Sequence, residues 1–413
     1  MYSIDSRGLV SHGEGDFDRY YNVFANPMLW FIQHHLWDLT RNPNHDLELQ
    51  EAWKSYATVN EGFAKAVVEE LDDEPDAAVW FHDYHLYLAP RIVRRAHPQA
   101  TLAHFVHIPW PEADYWTVLP DGMRRAVHEG LLSNDVVGFH TRRWRDNFLS
   151  SAEAVLGAAV DPEEGLVDHD GRRALVTAHP ISVDVAEFDE LAASPDVLAE
   201  ERDLELLRRE RLILRVDRTD PSKNIVRGFR AFELYLERHP EARGRVSMLA
   251  LLDPSRQDIP EYAAYLDEIS DTVRDVNRRF ARSGWRPITL EIRDDFPRSV
   301  AAYKQYDVLL VNAIFDGLNL VAKEAPLVNE RDGVLILSEN TGAHEELRRW
   351  VLTVNPFDII GQAEAIHTAL ELPAPGRHAR AEAIQAHVRE HDLENWLAVQ
   401  LADLDRVSAP TRS

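Results

Sequence analysis

Asp316-Gly-Leu-Asn-Leu-Val-Ala-Lys-Glu324 follows the compact apolar run Val308-Leu-Leu-Val311. The apolar run predicts a buried parallel strand. Gly317 permits a tight turn, and Asn319 is a good N-cap for a helix starting next. A strand, a tight turn and a helix N-terminus in succession present free backbone N–H groups and the positive end of a helix dipole, which suits a diphosphate. Asp316 falls at the carboxyl end of the strand, where open α/β sheets bind ligands. Glu324 lies about two helical turns further on. One carboxylate can then face the sugar of a nucleotide-sugar and the other its ribose. The same nine residues also fit an ordinary βα corner with two solvated acids.

Outward from this stretch, strands and helices alternate, which predicts parallel α/β structure. Residues 51–71 read as an amphipathic helix, and Ala78-Val-Trp-Phe81 as a strand running into His82-Asp-Tyr-His85. Strands at 102–106, 135–140 and 175–177 follow, with helices near 87–96 and 121–132. The charged helical stretch 186–210 crosses into a second unit. That unit restarts at Leu212-Ile-Leu-Arg-Val216, with further strands at 246–252, 288–292, 308–311 and 335–337. The architecture expected is two Rossmann-like halves with a cleft between them, residues 1–185 and 186–375. The last helices, about 378–405, are free to pack back on the first half. Residues 16–37 are aromatic-rich with no strand before them, whereas a doubly wound domain normally opens with a strand and a glycine turn.

At 413 residues, two domains are the default. Apolar content of 45% and charged content of 28% are those of a globular protein in water. No run has the length of a membrane span and the N-terminus lacks a signal-peptide layout, so a cytoplasmic location fits. With no Cys, disulfides, thiolate metal sites and thiol catalysis are excluded. A net charge of −25 argues against nucleic acid or anionic membrane as partners. Only five of the 45 basic residues are Lys: Lys54, Lys65, Lys223, Lys304 and Lys323. In so Arg-rich a chain, a Lys is notable for its compact ammonium.

Four further groups stand at predicted strand ends. Arg218 and Lys223 flank a turn containing Pro221, where two cations can bracket a diphosphate and stabilise it as it leaves. They also suit surface balance for Asp217 and Asp220. His82-Asp83-Tyr84-His85 offers metal-ligand types whose side chains diverge along the strand; a carboxylate presented to a sugar hydroxyl and a hydrogen-bonded loop are the alternatives. His107 precedes a Pro-stiffened loop, and either points into the cleft or is a satisfied structural histidine. Arg256 follows the strand 246–252.

Taken together, these segments resemble the trehalose-6-phosphate synthase family, retaining glycosyltransferases of the two-Rossmann (GT-B) type. The matching runs are Tyr20-Tyr-Asn with Trp30, Trp80-Phe-His-Asp-Tyr-His-Leu86, His107-Ile-Pro, Gly130-Leu-Leu with Val137-Gly-Phe-His140, Asp217-Arg-Thr-Asp-Pro-Ser-Lys223, Pro254-Ser-Arg256, Asp316 to Glu324, and Val354-Asn-Pro-Phe-Asp358. They span nearly the whole chain in the expected order. The resemblance implies transfer of glucose from UDP- or GDP-glucose to glucose 6-phosphate, giving trehalose 6-phosphate. It implies catalytic roles for Arg218, Lys223, Asp316 and His107, with the two cations on the donor diphosphate and His107 at the donor sugar. Gly317, Leu318, Asn319, Leu320, Val321 and Glu324 would hold the donor, Glu324 through the ribose hydroxyls. Tyr21, Trp30, Asp83 and Arg256 would bind the acceptor, Arg256 through its phosphate. It further implies no metal and no cofactor, sugar phosphates as partners, and a homo-oligomer as a possible assembly. Attack on the same face of the sugar, with the leaving phosphate taking the acceptor proton, is consistent with the lack of an evident nucleophile or general base.

The departures matter too. The family's first strand, its glycine-pair loop and an N-terminal Arg and Trp of the acceptor site have no counterpart here. The first domain is therefore expected to be the less stable, with nucleotide binding retained and transfer weak. Ser182 stands where the family usually has Gly, and Pro326 is expected to interrupt the helix after Glu324. The run Ala325-Pro-Leu-Val-Asn-Glu-Arg-Asp332 also resembles the validoxylamine-phosphate synthase branch, which forms a C–N bond from a cyclitol donor. In that branch the Asn-Leu-Val-Ala-Lys-Glu run is altered; here it is intact. A third possibility is a catalytically silent regulatory paralogue.

Overall fold

The structure, a computed structural model, describes residue 10 and residues 13–408. Its contacts divide the chain into two units, Met1–Pro180 with Ala398–Ser413, and Ile181–Leu397. The division falls at 180/181 and 397/398, against the 185/186 and 375 expected. The reason lies in the cores. Phe188, Val197 and Leu204, from the charged helices Val185–Ala192 and Pro195–Leu207, belong to the core of the second unit, as do Ile384 and Val388 of the helix Ala374–Glu390. Only the end of the helix Leu393–Ser408 joins the first unit. There Leu404 packs with Ala103, Val136 and Leu175, and Asp403 bonds the His179 ring at 2.6 Å.

The first unit holds strands β1 (Ala78–His82), β2 (Thr101–Val106), β3 (Val136–Phe139), β4 (Ala159–Asp161), β5 (Leu166–His169) and β6 (Arg172–Ala178). They lie in the order β1-β2-β3-β6-β5-β4. β1, β2, β3 and β6 run parallel, and β4 and β5 are added antiparallel. The β4–β5 hairpin escapes the sequence reading because its strands are short and half exposed, with no apolar run to mark them. β1 and β2 are in register at His82 and Phe105, so the residues leaving both strands come out side by side. Before the sheet, the aromatic-rich segment is helical from Glu14 to Gln33, with a break at Asn26. The long helix Leu47–Asp73, capped by the Asp46 carboxylate, packs on it.

The second unit holds β7 (Arg211–Arg218), β8 (Val246–Asp253), β9 (Ile288–Ile292), β10 (Val308–Val311), β11 (Val334–Ser338) and β12 (Leu352–Val354), all parallel. The order is β12-β11-β10-β7-β8-β9, so the direction of winding reverses between β7 and β10. Leu212, Leu214 and Val216 enter one apolar cluster and Ile213 the other. Such alternation, with apolar residues on both sides, requires helices on both faces of the sheet. In open sheets of this kind the ligand crevice opens at the reversal, outside the carboxyl ends of the strands. No helix among the described residues is long and apolar enough to cross a membrane.

Candidate active site

β7 carries a charge in its interior. Arg215 is fully buried and pairs with Asp217 at 2.8 Å. It also donates to the carbonyls of Ile225 and Lys223 at 3.2 and 3.1 Å, and to Asn312 Oδ1 at 3.2 Å. A buried ion pair is tolerated when further hydrogen bonds occupy its remaining donors. Here those bonds fasten the turn Pro221–Lys223 to the segment leaving β10. Gly228 makes room, since a Cβ there would meet Arg215 Nη1 at 2.3 Å. The framework that aims Lys223 is thus a buried guanidinium that pattern reading took as part of an ordinary strand.

Lys223 Nζ lies 2.5 Å from Asp316 Oδ2, with both side chains largely buried. Asn319 Nδ2 donates to the same carboxylate oxygen at 3.0 Å. Two expectations for this segment need correction. Asp316 does not sit at the strand terminus but in the loop between β10 and the helix Val321–Val328. Asn319 is not the N-cap: the helix is entered through Leu320 without a side-chain cap, and Asn319 itself takes the left-handed conformation, φ 77°. Asn tolerates this region because its amide bonds locally, and here that bond goes to Asp316. The amides of Ala322, Lys323 and Glu324 are used within the turn, whereas those of Leu320 and Val321 have no hydrogen bond among the described residues. Pro326 lies inside the helix without ending it; the helix continues to Val328.

Arg218 Nη2 pairs with the buried Asp220 at 2.5 Å. Burial pushes the Asp220 carboxyl up, but Arg218, Arg256, a hydrogen bond from Ser255, and Lys223 together hold it below the ordinary value. Arg256 donates to the Tyr262 hydroxyl at 2.7 Å and lies over that ring. One buried acid therefore serves two cations from neighbouring strand ends.

A cavity of about 280 Å³ opens at these strand ends. Arg218, Lys223 and Glu324 line it, with Asp253, Asp294, Phe296 and Tyr303. Burial raises the Glu324 pKa, and the hydrogen bond from Tyr303, 3.2 Å to Oε2, opposes the rise. Tyr303 is itself buried, and its hydroxyl pKa lies well above the usual value. It escapes sequence reading because its helix, Phe296–Gln305, is short and was not recognised. Asp253 and Asp294 were findable by the strand-end rule that picked out Asp316. Lys323, in contrast, takes no part in the cavity lining: its ammonium is buried against the Ile181 carbonyl at 2.9 Å and Glu346 at 2.8 Å. Burial lowers its pKa against the opposing pull of Glu346.

In the first unit, Tyr21, Trp30 and Asp83 gather around the single turn Tyr84–Leu86. Tyr21 stacks on the His85 ring, centroids 5.8 Å apart, and Trp30 packs against Tyr84 and His34. Trp30 is buried rather than open to solvent. Asp83 has φ 63° and ψ 179°, a region that is essentially glycine's. It is held there by its amide on Phe105 O at 2.8 Å, by the His104 ring on its carbonyl at 2.9 Å, and by the His107 amide on Oδ1 at 3.3 Å. His107 Nε2 is 3.0 Å from His82 Nδ1. Burial lowers the pKa of both His104 and His107 to about 3, so both rings are neutral at pH 7. No group of three or more His, Cys, Asp or Glu that could hold a metal exists among the described residues.

A doubly wound sheet with paired cations and acids at its reversal defines an α/β protein with a charged ligand crevice. Glycosyltransferase family 20 matches residues 8–406, and the chain belongs to that family. It is 38% identical over 382 residues to the bifunctional trehalose-6-phosphate synthase/phosphatase of Thermoproteus tenax, covering 91% of this chain and 50% of that protein. The chain thus spans about half the length of this relative. It is 34% identical over 405 residues to the validamine 7-phosphate valienyltransferase of Streptomyces hygroscopicus subsp. jinggangensis, covering 96% and 78%. The crystal structure of an α,α-trehalose-phosphate synthase (UDP-forming) from Burkholderia xenovorans, in complex with glucose-6-phosphate, matches with a TM-score of 0.87 and 33% identity over 95% of this chain and 85% of that one. The fold is the GT-B fold of these synthases.

Proposed function

We propose that the chain transfers glucose, with retention, from a nucleoside-diphosphate glucose to glucose 6-phosphate, giving trehalose 6-phosphate. The observation that carries this reading is the pair Lys223–Asp316, 2.5 Å apart, beside Arg218 and Glu324. A donor diphosphate would lie against Lys223, Arg218 and the unused amides of Leu320 and Val321. Asp316 and Asn319 would hold glucose hydroxyls, and Glu324 the ribose. As the glycosidic bond breaks, negative charge grows on the leaving phosphate, where fixed cations stabilise it most. That phosphate then takes the proton of the attacking hydroxyl. His107, neutral, would bond the donor sugar; Asp83, Tyr21 and Trp30 would serve the acceptor, and Arg256 its phosphate. On this reading the cations and amides supply the positive charge, and chelators leave the rate unchanged.

The match to a valienyltransferase, similar in extent, keeps one alternative in the same fold: transfer of a cyclitol to an amine. The deciding experiment offers each donor, glucosyl or valienyl, with each acceptor, glucose 6-phosphate or validamine 7-phosphate. Products are identified by mass spectrometry. Trehalose 6-phosphate from the glucosyl pair supports the proposal. A valienyl product alone overturns it, and nucleotide binding without any transfer would favour a regulatory role.

A further inference from the structure

The donor cavity has a second chemical end. Its cations come from the end of β7 and the turn after it, and further lining comes from along the same sheet edge: Asp253 at the end of β8, Asp294 just past β9, and Phe296 and Ser299 in the helix that follows. β9 lies two strand spacings from β7, about 10 Å, comparable to the reach from a diphosphate to the far edge of its base. Phe296 lines the cavity with 47% of its surface exposed; its ring meets Phe188 in a T-shaped contact, and the exposed part is of the kind that stacks on a base. Asp253 and Asp294 make no side-chain hydrogen bond and no ion pair among the described residues. Burial raises the Asp253 pKa and the Asp294 carboxylate raises it further, against the opposing pull of Arg218. Two neighbouring carboxylates without donors are an unfavourable arrangement unless a ligand brings donors to them.

We propose that this end of the cavity selects guanine, with the carboxylates of Asp294 and Asp253 accepting from the base N1–H and 2-amino group. The chemistry decides among bases. An ionised carboxylate only accepts hydrogen bonds. Guanine presents two donors side by side. Uracil presents one N–H between two carbonyl oxygens that would face the acids, and adenine presents its amino group beside an acceptor nitrogen. The inference rests on the donor-site reading above and sharpens it to a guanosine-diphosphate sugar.

Binding of GDP, IDP, UDP and ADP to the whole chain, measured by calorimetry at pH 7.5, tests it without requiring turnover. Hydrogen bonds to charged groups contribute roughly tenfold to a hundredfold each. The expected order is GDP tightest, IDP weaker by roughly tenfold because it lacks the 2-amino group, and UDP and ADP weaker again. Asp294→Asn and Asp253→Asn should each weaken GDP by roughly tenfold or more and leave UDP within about a factor of two. UDP equal to or tighter than GDP would overturn the guanine assignment while leaving the donor site standing. So would IDP equal to GDP, or variants that weaken GDP and UDP alike. Binding of none of the four nucleotides would remove the donor site and this inference with it.

Discussion

The unit Ile181–Leu397 and the unit built on β1 to β6 gather their candidate residues by different means. In the former, the winding reverses between β7 and β10, and charged side chains converge at that point: Lys223 on Asp316, Arg218 on Asp220, Arg215 beneath them. In the latter, β1, β2, β3 and β6 advance in one direction, and the candidates are held by aromatic packing, neutral histidines and one strained backbone residue. A site of fixed charge works by stabilising charge that develops in a reaction. A site of rings and a held carboxylate works by positioning hydroxyls. The donor and acceptor roles proposed above follow that difference, and substitutions in the two units should separate accordingly.

The largest effect is expected at the charged site. Lys223→Ala or Arg218→Ala should lower kcat by on the order of a hundredfold or more, with the folded state retained by circular dichroism. Arg256→Ala should instead raise the KM for glucose 6-phosphate and leave nucleotide affinity alone. If Arg256→Ala weakens nucleotide and acceptor equally, its place beside Arg218 and Asp220 outweighs the assignment to the acceptor.

Asp83 offers a sharper contrast, because its function and its stability should move in opposite directions. A non-glycine residue in this backbone region stores about 1–3 kcal/mol of strain. Asp83→Gly relieves the strain and loses the bond to the His107 amide. Tm should therefore stay level or rise, while acceptor KM rises by roughly tenfold, as loss of a charged hydrogen-bond partner does. A fall in Tm with unchanged KM would make Asp83 a structural residue only.

Much of this arrangement was legible in the sequence. The apolar runs mark nine of the strands within a few residues. Arg218 and Lys223 stand out because strand-end position is a local property of the chain, and the structure has them line one cavity with Glu324. What escaped was set by tertiary contact. Arg215 reads as part of an ordinary strand until Asn312, from a distant segment, and the Lys223 carbonyl close on it. Asn319 reads as an N-cap, since cap and left-handed residue share one composition; only its bond to Asp316 distinguishes them. Lys323 lies next to Glu324, yet successive helix positions point about 100° apart, and it is buried on Glu346 instead of lining the cavity.

Glu324 should show a smaller, pH-dependent effect. Burial raises its pKa in the folded state, so ionising it costs stability. The sign is that of a raised group: its favourable contribution is complete below the ordinary glutamate pKa and is lost as pH rises through the folded one. Glu324→Gln carries no such loss. The variant should therefore gain Tm over the parent at pH 7, gain less at pH 4, and bind the donor several-fold more weakly. An equal Tm difference at both pH values would mean that the carboxylate is not strained by burial.

The smallest effect is expected at Tyr303, whose hydroxyl is the hydrogen-bond donor that Glu324 keeps. Tyr303→Phe keeps the ring in place and removes only that bond, so stability should change by about 1 kcal/mol or less. The bond opposes the upward push of burial on Glu324. Without it the Glu324 pKa rises further, and the carboxylate is lost at higher pH as the solution is acidified. If ribose binding needs the ionised carboxylate, nucleotide affinity measured from pH 8 downward should begin to fall at a higher pH in Tyr303→Phe than in the parent, with the two nearly equal at pH 8. The Glu324→Gln chain, with no carboxylate to titrate, should lose this limb of the profile altogether. Parallel profiles in all three proteins would place the acid limb on another group, and would reduce Tyr303 to a packing residue behind the cavity wall.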